Sequence, residues 1–441
     1  MRPYNERRKR ALEAFAGAAA VIPSARSILR NGDSPYPFRQ NSDFYYLTGF
    51  DEPDAVLVLT PEHADARSVL FLRERDRAKE IWDGARLGVE RAAETLGVDA
   101  AYPIDELAQR LPKLLVGATT LHYAFGTDEA ADRLVRDALE AARTQTRRQG
   151  RAPQTFAEPS LVLEEMRAIK SDAEIDILRR GAAITRAGHV AAMRHTRPGM
   201  FEYEIQAILE SEYRRAGAQS IAYESIVAGG DHATVLHYVA NRDRLEAGTL
   251  LLIDSGCELD CYATDVTRTW PVDGRFTPEQ RAIYEIVLAA QAAAIDRVRP
   301  GVARTEFHDA AVRTIAQGLI ELGLLSGSLD ENIENERYRD YYMHGTGHWL
   351  GLDVHDAGAY RDVDDQPVKF RAGMVTTVEP GIYVHRDLDC DERFKGIGVR
   401  IEDDILVTAT GSENLTAAIP KTVEEIEAIV GADVRDAVAS P

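Results

Sequence analysis

The stretch Leu250–Trp270 reads LLLIDSGCELDCYATDVTRTW and decides what fold and chemistry to expect. Its first four residues are apolar, which is typical of a buried strand, and this run ends at Asp254. A second β-favouring run, Tyr262–Trp270, contains Asp265. A carboxylate at the end of a core strand is costly to bury unless it is paired or binds a metal. Two of them on a predicted hairpin indicate a shared cation site, with solvated turn aspartates as the alternative.

Length and composition are those of an ordinary globular protein. The 441 residues suggest two or three domains, and a 45% hydrophobic content allows a large core. The apolar runs are far shorter than the ~20 residues that a membrane span needs, and no signal-peptide pattern is present. A net charge of −20 disfavours nucleic acid as a partner, because its backbone requires a basic surface. Three cysteines without a C-x-x-C spacing favour a reduced, cytoplasmic protein.

The first part of the chain alternates predicted helices with predicted core strands such as Ala55–Leu59 and Ser68–Leu72. This alternation predicts an N-terminal three-layer α/β domain over residues 1–160. The segment Arg143–Pro159 is polar, basic and proline-containing, and we predict that it is a linker. A second domain is expected over residues 161–441.

The second part of the chain contains the same order of elements twice. A capping box at Ser171 begins a helix predicted to reach about His195, and an Arg-Pro-Gly sequence follows at positions 197–199. Another capping box at Thr277 begins a helix that is expected to stop at the Arg-Pro-Gly of positions 299–301. A second helix, a histidine-bearing segment and a strand that ends in a carboxylate follow in each half. The order predicts a duplicated helix–helix–strand unit, which brings equivalent strand ends together.

Five residues of this duplicated region could hold metal ions. Each is a carboxylate or an imidazole at or near a predicted strand end: Asp254, Asp265, His348, Glu379 and Glu402. An oxygen-rich set of this kind suits Mn²⁺, Co²⁺ or Zn²⁺. Four carboxylates balance two dications, which leaves room for a hydroxide between the ions with its pKa lowered towards neutrality. For His348 alone, a structural histidine is the alternative.

Three further histidines near these candidates are His237, His344 and His355. A metal hydrolase needs donors that hold a carbonyl and an oxyanion, and a group that protonates the leaving amine. Histidine can do each near neutral pH, although a hydrogen-bonded core histidine is the alternative at every position. Cys257 and Cys261 could form a thiolate pair, but a structural zinc site would need a second pair. A serine hydrolase is not supported, because the G-x-S-x-G motif does not occur.

Four motifs in order carry a resemblance to a known family: IDSGCELDCYATDVTRTWPV, YMHGTGHWLGLDVHD, TTVEPGIYV and GIGVRIEDDILVT. The region Leu161–Val430 resembles the metallopeptidases of the pita-bread fold, and within them the aminopeptidase P family. The resemblance implies a duplicated pita-bread catalytic domain with two Mn²⁺ ions. Asp265 and Glu402 would bridge the ions, Asp254 would chelate one, and His348 with Glu379 would complete the other.

The N-terminal stretches YPFRQNSDFYYLTGFDEPDAVLVL and EIWDGARLG also resemble the aminopeptidase P family. They separate the chain from methionine aminopeptidases and weaken a resemblance to creatinase, and they favour an aminopeptidase over a prolidase, a Xaa-Pro dipeptidase. The implied substrates are peptides with proline in the second position. A non-catalytic pita-bread module that binds peptides is a further alternative, which the complete ligand set argues against.

The resemblance also implies roles for residues around the metals. A hydroxide between the two ions would attack the carbonyl before proline, while His237 or His355 holds that carbonyl. Glu379 would shuttle the proton, and His344 would line the pocket for proline. Supporting roles are implied for Tyr223 and Arg400. Trp82 would contribute to the site of a neighbouring subunit, because the family commonly forms dimers or tetramers.

Overall fold

The computed structural model describes residues 3–60, 66–148 and 150–432. The chain divides into two compact units, Met1–Arg167 and Ala168–Pro441. The division falls near the end of a helix, Ser160–Ala168, a few residues beyond the boundary expected from the sequence. In the described part of the chain, no helix has both the length and the hydropathy required to cross a bilayer.

The N-terminal unit alternates helices and strands. Its described helices are α1 (Pro3–Ala14), α2 (Ser42–Thr48), α3 (Arg77–Asp83), α4 (Val89–Leu96), α5 (Leu107–Leu114), α6 (Glu129–Thr146) and α7 (Ser160–Ala168). Its described strands are β1 (Ala19–Pro23), β2 (Leu29–Asn31), β3 (Ser34–Pro35), β4 (Val56–Leu59), β5 (Ser68–Leu72), β6 (Ala100–Pro103), β7 (Thr120–His122) and β8 (Thr155–Ala157).

Six of these strands form a mixed sheet in the order β6-β5-β4-β1-β7-β8. Both faces of the sheet are covered, as the alternation along the central strand β1 shows. Val21 packs in one apolar cluster with Leu111 of α5 and Leu139 of α6. Ala20 and Ile22 point to the opposite face and are also buried. The three-layer α/β prediction for this unit is therefore confirmed.

The expectation of a linker over Arg143–Pro159 was wrong. Helix α6 continues to Thr146, and Thr155–Ala157 forms the edge strand β8, which pairs in parallel with β7. The Arg143 guanidinium donates to the carbonyl oxygen of Pro153 at 2.9 Å, which ties helix α6 to the residues that precede β8. An edge strand is held by backbone hydrogen bonds and can be polar, so the composition of this segment concealed it.

The second unit contains the remaining elements. Its described helices are α8 (Asp172–His195), α9 (Glu202–Arg215), α10 (Pro278–Ile295), α11 (Thr305–Glu321), α12 (Leu329–Glu334) and α13 (Val423–Ile429). Its described strands are β9 (Ser220–Ile221), β10 (Ile226–Gly229), β11 (Leu250–Asp254), β12 (Cys257–Leu259), β13 (Tyr262–Ala263), β14 (Thr267–Pro271), β15 (Val375–Val378), β16 (Gly381–Val384), β17 (Ile397–Arg400), β18 (Asp403–Val407) and β19 (Ser412–Asn414).

The duplicated arrangement is present. Helices α8 and α9 precede the sheet β10-β11-β14, and helices α10 and α11 precede the sheet β15-β18-β19. Both predicted capping boxes lie at helix starts. Thr277 and Gln280 cap each other's backbone N–H at the start of α10, whereas at the start of α8 the Glu174 carboxylate accepts from the backbone N–H and the hydroxyl of Ser171. Helix α10 ends at Ile295, about a turn before the Arg-Pro-Gly sequence at which it was expected to stop.

The run Tyr262–Trp270 does not form one strand. It breaks into β13, which pairs with β12, and β14, which pairs with β11, and Asp265 lies in the break. At this break, the backbone of Thr264 packs against the turn that follows β11. A Cβ atom on Gly256 would lie only 1.7 Å from the carbonyl oxygen of Thr264, so glycine is required there.

Candidate metal centre and active site

The two half-sheets bring the candidate carboxylates to matching positions. Asp254 is the last residue of β11, opposite Thr267 in the pairing of β11 with β14. Glu379 directly follows β15. Glu402 directly precedes β18, whose first residue, Asp403, pairs with Val378. The duplicated topology therefore places carboxylates from both halves at strand ends.

Three of the five candidates already form a compact donor group. Ligand atoms of Asp265, His348 and Glu402 all lie within 4.8 Å of one another. The His348 Nε2 atom lies 3.3 Å from a carboxylate oxygen of Asp265 and 3.5 Å from one of Glu379. One imidazole nitrogen thus faces carboxylates from both halves of the unit.

Asp254 joins this group through Tyr223 and Arg400. The Tyr223 hydroxyl lies 2.6 Å from Asp254 Oδ1 and also contacts a carboxylate oxygen of Asp265. Arg400 donates from Nη2 to Asp254 Oδ2 at 2.7 Å. All five candidates therefore belong to one connected network of described residues.

Burial and mutual repulsion raise the pKa of three candidate carboxyl groups, those of Asp265, Glu379 and Glu402. Burial is the main cause for each, with the charge of Asp254 adding to it at Asp265 and the charge of Asp265 adding to it at Glu402. The pKa of Glu379 is raised to about 7, again chiefly by burial. A cluster of this kind has an excess of negative charge that bound dications would neutralise.

The orientation of His348 also suits a metal ligand, and a bound ion would displace the proton from its Nε2 atom. Burial alone would lower its pKa, but the hydrogen bond to Asp265 and the charge of Glu379 outweigh burial and raise it to about 9. Its Nδ1 lies 2.9 Å from the carbonyl oxygen of Trp349 and donates to it. This orientation leaves Nε2 facing the carboxylates, which is the arrangement of a metal-binding histidine held by its second nitrogen. The donor set therefore fits divalent metal ions.

A second chain of hydrogen bonds runs from Asp254 to His344. Arg400 donates from Nη1 to the Tyr383 hydroxyl at 3.0 Å, and that hydroxyl lies 2.8 Å from His344 Nε2. Burial, with the charge of Arg400, lowers the pKa of His344 to about 4, so its ring is neutral at neutral pH. His344 Nδ1 donates to the Gly345 carbonyl at 2.7 Å, which leaves Nε2 to accept from Tyr383.

The other predicted site residues are exposed. The His355 ring packs edge-on against His348 with centroids 4.3 Å apart, and its pKa is lowered by burial, then by the charges of His348 and His237. His237 is exposed in the second unit, close enough to influence His355. Trp82 is 86% exposed on α3 of the N-terminal unit.

Sequence reasoning missed several residues that hold the site. The Thr267 hydroxyl donates to Glu402 at 2.6 Å, and the Thr377 hydroxyl donates to Glu379 at 3.1 Å. Tyr383 links Arg400 to His344. Each of the three residues lies within four positions of a predicted metal ligand in the sequence. Threonines and tyrosines are so common in strands that this proximity did not single them out.

The family model of metallopeptidase family M24 matches residues 176–409, which is more than half of the chain. This chain belongs to metallopeptidase family M24. A second family model, of the N-terminal domain of aminopeptidase P, matches residues 4–123 of this M24 chain. The resemblance to the aminopeptidase P family and the predicted fold class are both confirmed.

Relatives of this M24 peptidase match along nearly its whole length. The Xaa-Pro aminopeptidase of Escherichia coli is 46% identical over 428 residues, which are 96% of this chain and 97% of the relative. The aminopeptidase PepP structure from Pseudomonas aeruginosa superposes with a TM-score of 0.95 at 45% identity, covering 98% of each chain. Zinc-substituted E. coli aminopeptidase P in complex with product gives a TM-score of 0.92 at 46% identity, covering 97% of each chain.

Proposed function

We propose that this M24 hydrolase is an aminopeptidase that releases the first residue of peptides with proline in the second position. The grouping of Asp265, His348 and Glu402 donor atoms within 4.8 Å carries the proposal, because it is a metal-ligand set in a hydrolase fold. The match to an aminopeptidase P N-terminal domain and the names of the relatives support the substrate class.

We infer that five residues hold two divalent ions, with Mn²⁺ as the physiological metal and Co²⁺ or Zn²⁺ as substitutes. These residues are Asp254, Asp265, His348, Glu379 and Glu402. When bound, such ions act as Lewis acids and lower the pKa of a water molecule towards neutrality. The crowding of buried carboxyl groups, with raised pKa values at Asp265 and Glu402, supports this inference.

The protein side chains orient the peptide and move protons. His237 or His355, the latter packed against the His348 ring, would donate hydrogen bonds to the carbonyl before proline and to the oxyanion that develops there. Glu379 would take up a proton from the attacking water and return it to the leaving nitrogen. The neutral ring of His344 would line the pocket for the proline ring.

Other residues would support the site. Tyr223 and Arg400 hold the Asp254 carboxylate in place. By the family resemblance, the free amino group of the substrate would bind beside Asp254. The exposed Trp82 would reach the site of a neighbouring subunit in a dimer or tetramer. We infer a cytoplasmic location, which agrees with three described cysteines that form no disulfide.

The test compares a Xaa-Pro-Yaa tripeptide with a Xaa-Pro dipeptide as substrates of protein stripped by a chelator and reloaded with Mn²⁺. We expect efficient cleavage of the tripeptide at the Xaa–Pro bond. The variant Asp265→Asn should lower kcat/KM by more than about 100-fold, since the loss of even an outer partner of a metal ligand costs 10–100-fold. Asp296→Asn, at the exposed end of α10, is the matched control and should retain activity.

The other outcomes identify the alternatives. Cleavage of the dipeptide alone would make the chain a prolidase with the same metal site. Failure to bind any Mn²⁺ in a titration of the stripped protein would contradict the enzyme proposal and favour a peptide-binding module.

A further inference from the structure

The beginning of helix α11 holds the loop that carries His348. The loop His344–His348, here called the HGTGH loop, receives two side chains from α11. His308 Nδ1 lies 2.7 Å from the Thr346 hydroxyl oxygen, and the Arg304 guanidinium donates to the Gly347 carbonyl oxygen. Arg304 and His308 are four residues apart and lie on one face of the helix start, so they reach neighbouring residues of the loop.

Aromatic rings hold the Arg304 guanidinium in position. Its central carbon lies 4.2 Å from the ring centroid of Tyr360, 5.3 Å from that of Phe307 and 5.4 Å from that of Trp349. Such faces attract a cation electrostatically. Burial lowers the pKa of Arg304, which shows how far this charge is withdrawn from water. A guanidinium that is shielded from water and donates to a single carbonyl oxygen strongly constrains the peptide group that carries this oxygen.

The Thr346 side chain is tied on two sides. Its hydroxyl oxygen lies 2.6 Å from the hydroxyl of Tyr342 and 2.7 Å from His308, and the residue is 1% exposed. Its carbonyl oxygen accepts from the backbone N–H of Glu379 at 2.8 Å. Thr346 therefore connects helix α11 to the strand end that carries a proposed metal ligand.

The next residues of the loop connect to the same strand. The His348 backbone N–H donates to the Thr377 hydroxyl oxygen at 3.0 Å, and that hydroxyl donates to the Glu379 carboxylate at 3.1 Å. A shift of Thr346 or Gly347 would therefore move His348 and Glu379 together.

We propose that Arg304 and His308 are positioning residues of the metal centre. They fix the backbone of Thr346 and Gly347, and through it the distance between His348 and Glu379, so that both side chains can bind the same ion. The inference rests on the proposed function. Both residues act through the backbone of the HGTGH loop. Their effect is on metal affinity and on the turnover of bound substrate.

The variants Arg304→Met, Arg304→Lys and His308→Leu test this. Arg313→Met is the matched control, because Arg313 lies on the same helix in an exposed ion pair with Asp330. Mn²⁺ dissociation constants are measured calorimetrically on chelator-stripped protein, with kcat, KM and the unfolding temperature of the metal-free form. We expect Arg304→Met to weaken one Mn²⁺ equivalent about 10-fold and to lower kcat about 10-fold with KM nearly unchanged. Arg304→Lys keeps a cation over the rings and should recover part of both losses.

Several results would overturn the inference. The first is that Arg304→Met and His308→Leu bind Mn²⁺ as tightly as the control Arg313→Met does. Another is a lower unfolding temperature with unchanged affinity, which would make the two residues part of the scaffold only. If Arg304→Met does not fold, the Mn²⁺ affinity and kcat of His308→Leu test the inference without it. A wild-type protein that binds no Mn²⁺ would remove the proposed function as well, whereas normal wild-type binding with unaffected variants would remove only this inference.

Discussion

At the scale of single residues, His189 shows how burial keeps a histidine uncharged beside the active site. It is 0% exposed on α8, and its Nε2 donates to the carbonyl oxygen of Ser255 at 2.9 Å. Burial lowers its pKa from 6.5 to about 4. Ser255 directly follows Asp254, so this histidine supports the turn after the strand that carries this proposed metal ligand.

The low pKa of His189 predicts acid sensitivity. Between about pH 6.5 and pH 4 the unfolded chain binds a proton at this position and the folded chain does not. The free energy of unfolding therefore falls as the pH is lowered through this window, by up to about 1.4 kcal/mol per pH unit. Urea unfolding at several pH values should give a shallower decline for His189→Gln, in which the amide nitrogen can still donate to Ser255.

His195→Gln is the control for this experiment, because His195 lies in the last turn of the same helix and is partly exposed. The free energy of unfolding of His195→Gln should fall with decreasing pH as steeply as that of the wild type. Equal slopes for His189→Gln and the wild type would contradict the prediction.

At the scale of elements, strand β14 holds the active site through alternate threonines. The Thr267 hydroxyl donates to Glu402 at 2.6 Å and accepts from Arg400 Nε at 3.1 Å. The Thr269 hydroxyl, two residues on, donates to the Arg400 carbonyl oxygen at 3.0 Å. Both residues are 0% exposed and lie on the same face of the strand. Of these two threonines, Thr267 alone has a hydrogen bond to a carboxylate of the proposed metal centre.

The two threonines give a matched pair of variants. Thr267→Val and Thr269→Val each remove a buried hydroxyl and leave a polar partner unpaired, which should cost about 1–3 kcal/mol of unfolding free energy in both. Only Thr267→Val should also reduce Mn²⁺ affinity and kcat/KM, by about 10–100-fold, because it frees the Glu402 carboxylate to turn. Similar activity losses in the two variants would show that general destabilisation, not the orientation of Glu402, is responsible.

At the scale of the whole catalytic unit, a buried charge cluster joins the two halves of the duplication. Arg268 of β14 donates to Asp403 of β18 at 2.7 Å, and both side chains are 0% exposed. Lys421 donates to the other oxygen of Asp403 at 2.6 Å. Burial alone would raise the pKa of Asp403, but the charges of Arg268 and Lys421 outweigh burial and lower it. Arg268 also donates to the carbonyl oxygen of Glu402 at 2.6 Å.

Loss of this arginine should be severely destabilising. Arg268→Met would leave Asp403 buried with only part of its compensation, which typically costs about 3–5 kcal/mol. Urea unfolding followed by tryptophan fluorescence measures the change. Arg281→Met removes an exposed i,i+4 partner of Glu285 and should cost less than about 1 kcal/mol. If Arg268→Met lowers the free energy of unfolding as little as Arg281→Met does, the charge cluster does not hold the two halves together.

Local patterns were sufficient to predict much of the fold. The helix that follows Ser171 and reaches His195, and the strand that begins at Leu250 and ends at Asp254, were predicted with the bounds that the structure has. Apolar periodicity and capping are properties of neighbouring residues, so they can be identified along the chain. The edge strand Thr155–Ala157 was missed, because its pairing partner β7 lies more than thirty residues away.

The sequence by itself predicted the five candidate metal ligands, the repeated order of elements and the α/β class, because these predictions depend on residue type and short-range order. Tertiary structure alone decided which side chains support that set. Tyr383 meets His344, Arg304 meets Gly347 and Arg268 meets Asp403 across distances that no local pattern records. These contacts arise because strand pairing and burial bring together residues that are remote in the chain, where low solvent exposure strengthens each hydrogen bond and charge interaction.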